Sequence, residues 1–417
     1  MLKAKIIKIK GEISKMSEEM KNLNNEPEQA PVENKPEAKP SLSKQQIGII
    51  AGIAAAVVVL IVVLALVLGG GNKTPTPDNG GDVNPPAGDV VTEEEYKLGL
   101  GVVVSLDSSK AGTAQVDATV ATVVLDKDGK IVLCRIDVAQ NKVDITDGFV
   151  TVPDSFKTKM ELGDAYGMAS SPYSPDNNGD GKVLEWYEQA KAFEDYVVGK
   201  TVAQVEALET QEVNNHLISK DDALLSAGCT IQITDFQAAV VKACKDDQGV
   251  SFKTAGKFTL GVGIDSYDDG SVDAEDEDGT VKVYSDIAAS VVAEDGKILA
   301  SLNDAIQPTV SFDIAGEITA KTFKGTKREL KEDYGMGGKP YSPDRNGDGI
   351  VKEWYEQSAA FSEHVVGKTA AEVKAMPTQT QEDGYVISND SALLNAGCTI
   401  QITSIINVVV ESVNNAR

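Results

Sequence analysis

Three short runs in this chain pair residue types with spacings that could do chemistry, and each run occurs twice. Asp176-Asn177-Asn178-Gly179-Asp180-Gly181-Lys182-Val183 returns as Asp344-Arg345-Asn346-Gly347-Asp348-Gly349-Ile350-Val351. Side-chain oxygens at positions one, three and five, glycine at six for a sharp turn, and a main-chain carbonyl at seven form the first part of an EF-hand-type calcium loop. Position twelve, where a bidentate Glu closes such loops, holds Tyr187 or Tyr355. The closing carboxylate therefore falls to Glu188 and Glu356 one residue later, or to Glu185 and Glu353 two earlier. The expected Ca2+ ligands are Asp176, Asn178, Asp180, Lys182 through its carbonyl and Glu188, and then Asp344, Asn346, Asp348, Ile350 through its carbonyl and Glu356. Binding is expected in the weak range of extracellular modules, about 10⁻⁴ to 10⁻³ M. The competing reading is a glycine-rich Asx turn that starts a helix.

The second run is Ser226-Ala227-Gly228-Cys229-Thr230-Ile231-Gln232-Ile233-Thr234, which returns as Asn395-Ala396-Gly397-Cys398-Thr399-Ile400-Gln401-Ile402-Thr403. A hydroxyl beside a thiol invites a nucleophilic reading, but the two histidines of the chain, His216 and His364, are not equivalent in the duplication and neither pairs with Cys229 or Cys398. Hydrolase triads and zinc sites thus lack their residues. The third run, Tyr166-Gly167-Met168 and Tyr334-Gly335-Met336, puts an aromatic ring next to a thioether. That pair suits core packing and also suits the face of a flat cofactor.

The elements that must position these residues also repeat. The interval from Asp176 to Asp344 is about 168 residues, far longer than the periods of solenoid proteins. Each copy opens with strand-like alternation, Gln115 to Leu125 and Lys282 to Val292. A turn follows, Asp126-Lys-Asp-Gly-Lys130 or Glu294-Asp-Gly-Lys297, and then an apolar run, Ile131 to Ile136 or Ile298 to Leu302. Asp-Gly at the turn predicts a hairpin in each. Helices are expected from Trp186 and Trp354, with Trp186, Ala190, Phe193 and Val197 on one face. Gly199-Lys200-Thr201 and Gly367-Lys368-Thr369 lack the upstream glycine of a phosphate loop. They read instead as helix ends followed by capping boxes, Thr201 with Gln204 and Thr369 with Glu372. The fold expected is α+β: two tandem homologous domains, each of antiparallel strands plus helices, behind one N-terminal transmembrane helix.

That helix is the uncharged stretch 47–68, long enough to span a bilayer. It follows a polar tail, 1–46, and precedes a Pro- and Gly-rich tether, 69–92. The copies occupy 93–247 and 248–417. Lys35, Lys39 and Lys44 before the span, against Lys73 behind it, put the N-terminus in the cytoplasm and the bulk of the chain outside. This predicts a single-pass protein of the cell membrane, with the membrane as one partner and a redox protein or cell-wall ligand as another. Met16-Ser17-Glu18-Glu19-Met20 looks like a natural translation start, which would leave residues 1–15 untranslated. A net charge of −25 over 417 residues disfavours nucleic acid or an anionic lipid surface as a partner, because both repel such a surface. The acidic run Asp268 to Asp278 reads as a solvated loop. Of the four cysteines, Cys134 and Cys244 have no counterparts, and a bridge inside the first copy is open to them on the oxidising side of a membrane.

The Ala227-Gly228-Cys229-Thr230 segment, with Phe236, Ala239 and Val240 on the following helix and the hairpin around Asp128-Gly129-Lys130, resembles the FMN-binding domain family of membrane-anchored and respiratory flavoproteins. The resemblance covers the hairpin and the C-terminal part of each copy. It implies FMN as cofactor, held at Gly228, Cys229 and Thr230 and at Gly397, Cys398 and Thr399, with either threonine hydroxyl as a point of esterification by the FMN phosphate. It also implies an electron-transfer flavoprotein rather than a classical enzyme. The chain departs from the family's pattern: the Asp three residues before the family's Ser is Leu224 or Leu393, that Ser is Ala227 or Ala396, and the family's second Thr is Gln232 or Gln401. The alternative is a non-redox, calcium-stabilised surface module that binds or supports without flavin.

Overall fold

Long alternating strands with both faces apolar need cover on both sides, and β2 (Thr113–Asp126) shows how this chain supplies it. Ala114, Val116, Ala118 and Val120 face a central core, whereas Ala121, Val123 and Leu125 face a layer of helices. The computed structural model describes residues 93–169, 176, 179, 181–337, 344–347 and 349–417. The expected tail 1–46, transmembrane helix 47–68 and tether 69–92 lie outside these residues. Among the described residues no helix is long and apolar enough to cross a membrane.

β1 (Glu94–Ser105), β2 and β3 (Ile131–Thr146) form an antiparallel meander, with β4 (Phe149–Thr151) on the far edge of β3. The expected β2–β3 turn is present. Asp126 Oδ1 accepts from the amides of Asp128 and Lys130, each at 2.9 Å, and Gly129 takes the positive φ of 73° that the tight turn demands. Next come α1 (Lys159–Leu162), a 3-10 turn (Gly163–Tyr166), α2 (Trp186–Val197), α3 (Val202–Glu206), the small hairpin β5 (Thr210–Val213) and β6 (His216–Ser219), α4 (Asp222–Ser226) and α5 (Thr234–Lys245). β7 (Val250–Thr254) then returns to β1, pairing Val250 with Leu98 and Thr254 with Glu94.

The order recurs as β8 (Phe258–Asp268), β9 (Gly279–Ala293) and β10 (Ile298–Ile306), with β11 (Thr309–Phe312) and β12 (Ile318–Thr322) added where β4 stood. α6 (Lys327–Leu330), a 3-10 turn (Lys331–Tyr334), α7 (Trp354–His364), α8 (Ala370–Lys374), β13 (Thr378–Thr380), β14 (Val386–Ser388), α9 (Ser391–Asn395) and α10 (Thr403–Asn414) complete it. The capping boxes at Thr201 and Thr369 form as expected, with Gln204 and Glu372 accepting from the threonine amides at 2.9 and 2.8 Å. The result is a mixed α+β structure of mostly antiparallel sheets plus helices.

Two sheets pack face to face. Their shared core joins Leu98, Val120 and Ile145 of the first copy to Leu260, Val291 and Phe312 of the second. Helices α2 and α5 cover the outer face of one sheet, and α7 and α10 that of the other. The close approach of α5 to β1 depends on Gly99 and Gly101, where any Cβ would overlap the carbonyl oxygens of Ala243 and Ala239. Gly261 and Gly263 do the same for α10 on β8, against Ser412 and Val408. β7, numbered within the expected second copy, completes the sheet of the first. The acidic run between β8 and β9 is tied down by Asp273, which accepts from the Val150 amide at 2.8 Å, and by Asp278, which accepts from Thr319 at 2.6 Å.

Candidate functional site

The Gly-Cys-Thr motif sits at the end of α4 and of α9, where each residue has a separate local task. Gly228 and Gly397 take φ of 93° and 84°, the left-handed backbone that stops a helix. Cys229 and Cys398 point into the cores beneath α2 and α7 and are fully buried. Burial pushes both thiols up to about 12. Such thiols are not nucleophiles. All four cysteines are free and buried, Cys134 and Cys244 included.

Thr230 and Thr399 are held by a glutamine from the neighbouring helix. Gln189 Oε1 accepts from the Thr230 amide at 2.9 Å and from its hydroxyl at 3.3 Å; Gln357 Oε1 accepts from the Thr399 amide at 2.7 Å and hydroxyl at 3.2 Å. The Gln189 amide group donates to Leu184 O at 2.9 Å and to Met168 Sδ at 3.4 Å, and Gln357 repeats this with Lys352 O at 2.7 Å and Met336 Sδ at 3.4 Å. One buried glutamine per copy therefore joins Gly-Cys-Thr to Tyr-Gly-Met. Glu185 and Glu353 fasten the same turn, accepting from the Met168 and Ala169 amides and from those of Met336 and Gly337.

In the second copy these parts line a cavity of about 550 Å³ that reaches Thr399, Ile400 and Gln401. Tyr267 and Tyr284 stack in its wall, with ring centres 5.0 Å apart and planes 16° from parallel. Lys327, at the first turn of α6, lies over three rings: 4.6 Å from Tyr334, 4.8 Å from Tyr284 and 5.2 Å from Trp354. Asp286 stands in the same wall; burial raises its pKa, with Ser404 and the Lys327 charge acting against that rise. Arg345 contributes a second cation, 4.8 Å from the Tyr385 ring and paired with Asp383 at 2.7 Å. In the first copy Lys159 lies over Tyr166 at 5.0 Å and Trp186 at 5.5 Å. The positions of Tyr267, Tyr284 and Tyr385 are held there by Ser105, Asp117 and His216.

The calcium residues are distributed as follows. Asp176 accepts from the Gly179 and Gly181 amides, each at 2.7 Å, and Asp344 from those of Gly347 and Gly349 at 2.8 and 2.7 Å. Asn346 Nδ2 donates to Leu394 O at 3.0 Å. Glu188 and Glu356 cap their own helices, accepting from the Glu185 and Glu353 amides at 2.9 Å each. Lys182 and Ile350 follow their loops at the surface, and Asn178, Asp180 and Asp348 lie outside the described residues. Among the described residues no group of three or more His, Cys, Asp or Glu side chains is arranged to hold a metal ion.

Sequence reasoning missed Gln189 and Gln357, Lys159 and Lys327, and the tyrosine pair. The lysines had a signal: Thr158-Lys159-Met160-Glu161 and Thr326-Lys327-Arg328-Glu329 are duplicated capping boxes, so each lysine is fixed at the first residue of a helix. The glutamines had one too, since Trp186-Tyr187-Glu188-Gln189 returns as Trp354-Tyr355-Glu356-Gln357.

No protein-family profile matches the chain, and no solved structure matches it. A curated relative, chlorophenol reductase of Desulfitobacterium hafniense, is 36% identical over an alignment of 102 residues that covers 21% of this chain and 29% of that protein. The chain thus spans under a third of that relative's length.

Proposed function

We propose that this chain is a membrane-anchored protein of a bacterial envelope that displays two tandem FMN-binding-like modules outside the membrane and relays electrons through flavin at the cell surface. The span 47–68 is its anchor, 1–46 its cytoplasmic tail and 69–92 its tether. The observation that carries this reading is the cavity beside Thr399, where stacked tyrosines, Trp354, Met336 and two cations converge.

The residues suit the cofactor. Aromatic walls offer faces to a flat isoalloxazine, and Lys327 and Arg345 are cations of the kind that hold a phosphate. Non-covalent holding fits better than an ester at Thr399, because that hydroxyl is buried and already donates to Gln357. The flavin, when bound, supplies the redox chemistry; the protein supplies binding, orientation and charge. Similarity to part of a reductase supports the same class of reaction.

An absorbance spectrum of the protein purified from its native host tests the proposal. Bands near about 370 and 450 nm are expected, and FMN added to the cofactor-free chain should quench Trp354, with Lys327→Met and Tyr284→Ala weakening the effect. Absence of both the bands and the quenching would retire the flavin reading.

A second reading, a calcium-stabilised surface module in adhesion or wall contact, has its own support. Asp176 and Asp344 each gather two glycine amides, the loop organisation that a first-position calcium ligand also needs. Calorimetry decides it: a calcium-linked heat in the sub-millimolar to millimolar range keeps it, and a flat trace removes it.

A further inference from the structure

A second cavity, of about 1120 Å³, shares no lining residue with the chamber at Thr399. Val250 to Thr254 of β7 line it without a gap, and so do Lys297 to Leu299 and Ser301 to Asn303 at β10. Successive residues of a strand point to opposite faces, so a cavity that touches all of them runs along the strand's edge. Both edges are the spare ones. Among the described residues β7 pairs only with β1, and β10 only with β9, apart from the Ile298 main chain, which bonds to Gly367 and Lys368.

The floor carries buried polar atoms without partners. Ser301 and Asn303 are 1% and 2% exposed, and neither Ser301 Oγ nor Asn303 Oδ1 has a hydrogen-bond partner. Asn303 Nδ2 donates to Ser362 Oγ at 2.7 Å, which orients the amide and leaves Oδ1 as a fixed acceptor. Buried acceptors are rarely left unanswered.

The duplication shows what such a cleft holds. Aligning Gly129 with Gly296, Trp186 with Trp354 and Cys229 with Cys398 puts Cys134 and Ile136 in the places of Ser301 and Asn303, Glu194 in that of Ser362, and Arg417 in that of Gln248. In the first copy the cleft beside β3 and α2 receives residues 415–417. The Arg417 amide donates to Leu260 O at 3.3 Å, Asn415 Nδ2 donates to Val262 O at 3.3 Å, and the Arg417 guanidinium meets the buried Glu194 carboxylate at 3.0 Å. There a peptide segment bonds to a strand edge while its side chain answers the buried acceptor. In the second copy the place of residues 415–417 is taken by 246–248, but Gln248 Nε2 donates to Arg328 O at 2.9 Å and leaves Asn303 Oδ1 unanswered; that acceptor is a neutral amide, which calls for a neutral donor.

We propose that the cavity between β7 and β10 receives an extended polypeptide segment of a partner protein, which adds to a strand edge and donates from an Asn, Gln, Ser or Thr side chain to Asn303 Oδ1. Its volume exceeds the ~300–1,000 Å³ usual for small-molecule pockets, which favours a peptide. The probe is an array of synthetic heptapeptides alternating apolar residues with Asn, Gln, Ser or Thr, with the strongest binder then titrated into the full chain. Expected are saturable binding, amide-exchange protection at residues 250–254 and 299–303, and a loss of about tenfold or more on Ser301→Cys/Asn303→Ile, which installs the first copy's pair. Ser301→Ala, a smaller change, should give a lesser loss with the fold retained. The proposal is overturned if no peptide binds more tightly than about 1 mM, if protection maps elsewhere, or if folded variants bind as tightly as the parent.

Discussion

Each buried glutamine does for the repeated motif what no residue inside that motif can do. Gln357 is 1% exposed and answers both the amide and the hydroxyl of Thr399. Replacing it by Leu leaves a buried N–H unanswered, at a cost of about 1–3 kcal/mol. Gln357→Leu should therefore lower the urea midpoint, whereas Thr399→Ser, which keeps both donors, should leave it near the parent's; equal midpoints for all three proteins would remove glutamine from this role. The buried aspartates make a separate prediction. Asp137 accepts from the Met160 and Val138 amides, and burial raises its pKa from 3.8 to about 7; its counterpart Asp304 is raised to about 6. A carboxyl raised in the folded state favours folding while protonated, fully below its unfolded pKa, and that contribution is lost as pH climbs through the folded pKa. Stability should thus fall between about pH 4 and pH 7, by up to ~1.4 kcal/mol per pH unit for each group within its window. Denaturation midpoints measured across that range should slope less for Asp137→Asn. None of this was legible beforehand, because one Asp or Gln in an amphipathic run does not reveal which buried amide it faces.

At the scale of elements, the sequence was most legible where a local rule acts alone. Asp126 to Lys130 made its hairpin, Trp186 and Trp354 began their helices, and Thr201 and Thr369 capped theirs, since turn and cap chemistry is settled within a few residues. The chamber at Thr399 was not legible. It needs Tyr267 from β8, Tyr284 from β9, Lys327 from α6 and Trp354 from α7, and only pairing and packing bring those together. The glycines of β1 and β8 belong to the same class of long-range signal. Gly261 has no turn to make; its task is to let α10 lie against the strand. Gly261→Ala should cost about 1–3 kcal/mol or more, because the Ser412 carbonyl cannot retreat without lifting the helix. Gly296→Ala, at a hairpin turn with φ of 80° and open space around it, is the control for strain without overlap. Thermal melts should show the larger loss for Gly261→Ala, and a loss no greater than the control's would argue against close approach as the reason for glycine there.

The molecule as a whole joins what the sequence numbered as two copies. β7 follows the helices of the first copy and closes that copy's sheet, the central core draws on both sheets, and Arg328 of α6 pairs with Asp246 beyond α5 at 3.0 Å, both nearly buried. Sequence duplication shows descent from one ancestral unit but not whether the present units can stand apart, because the residues facing the central core look the same as residues facing helices. With so much apolar surface shared, separating the halves would expose Leu98, Val120, Leu260 and Val291 to water. Cooperative unfolding of both halves together follows. The chain contains two tryptophans, Trp186 under α5 and Trp354 in α7, so Trp354→Phe leaves a reporter for the first half and Trp186→Phe one for the second. Guanidinium titrations of the two variants, each corrected for its own stability by circular dichroism, should give fluorescence transitions that coincide with the loss of secondary structure. Two midpoints within one variant, or a Trp signal lost well before the helices melt, would mean that the halves unfold separately and that the shared core contributes less than its burial indicates.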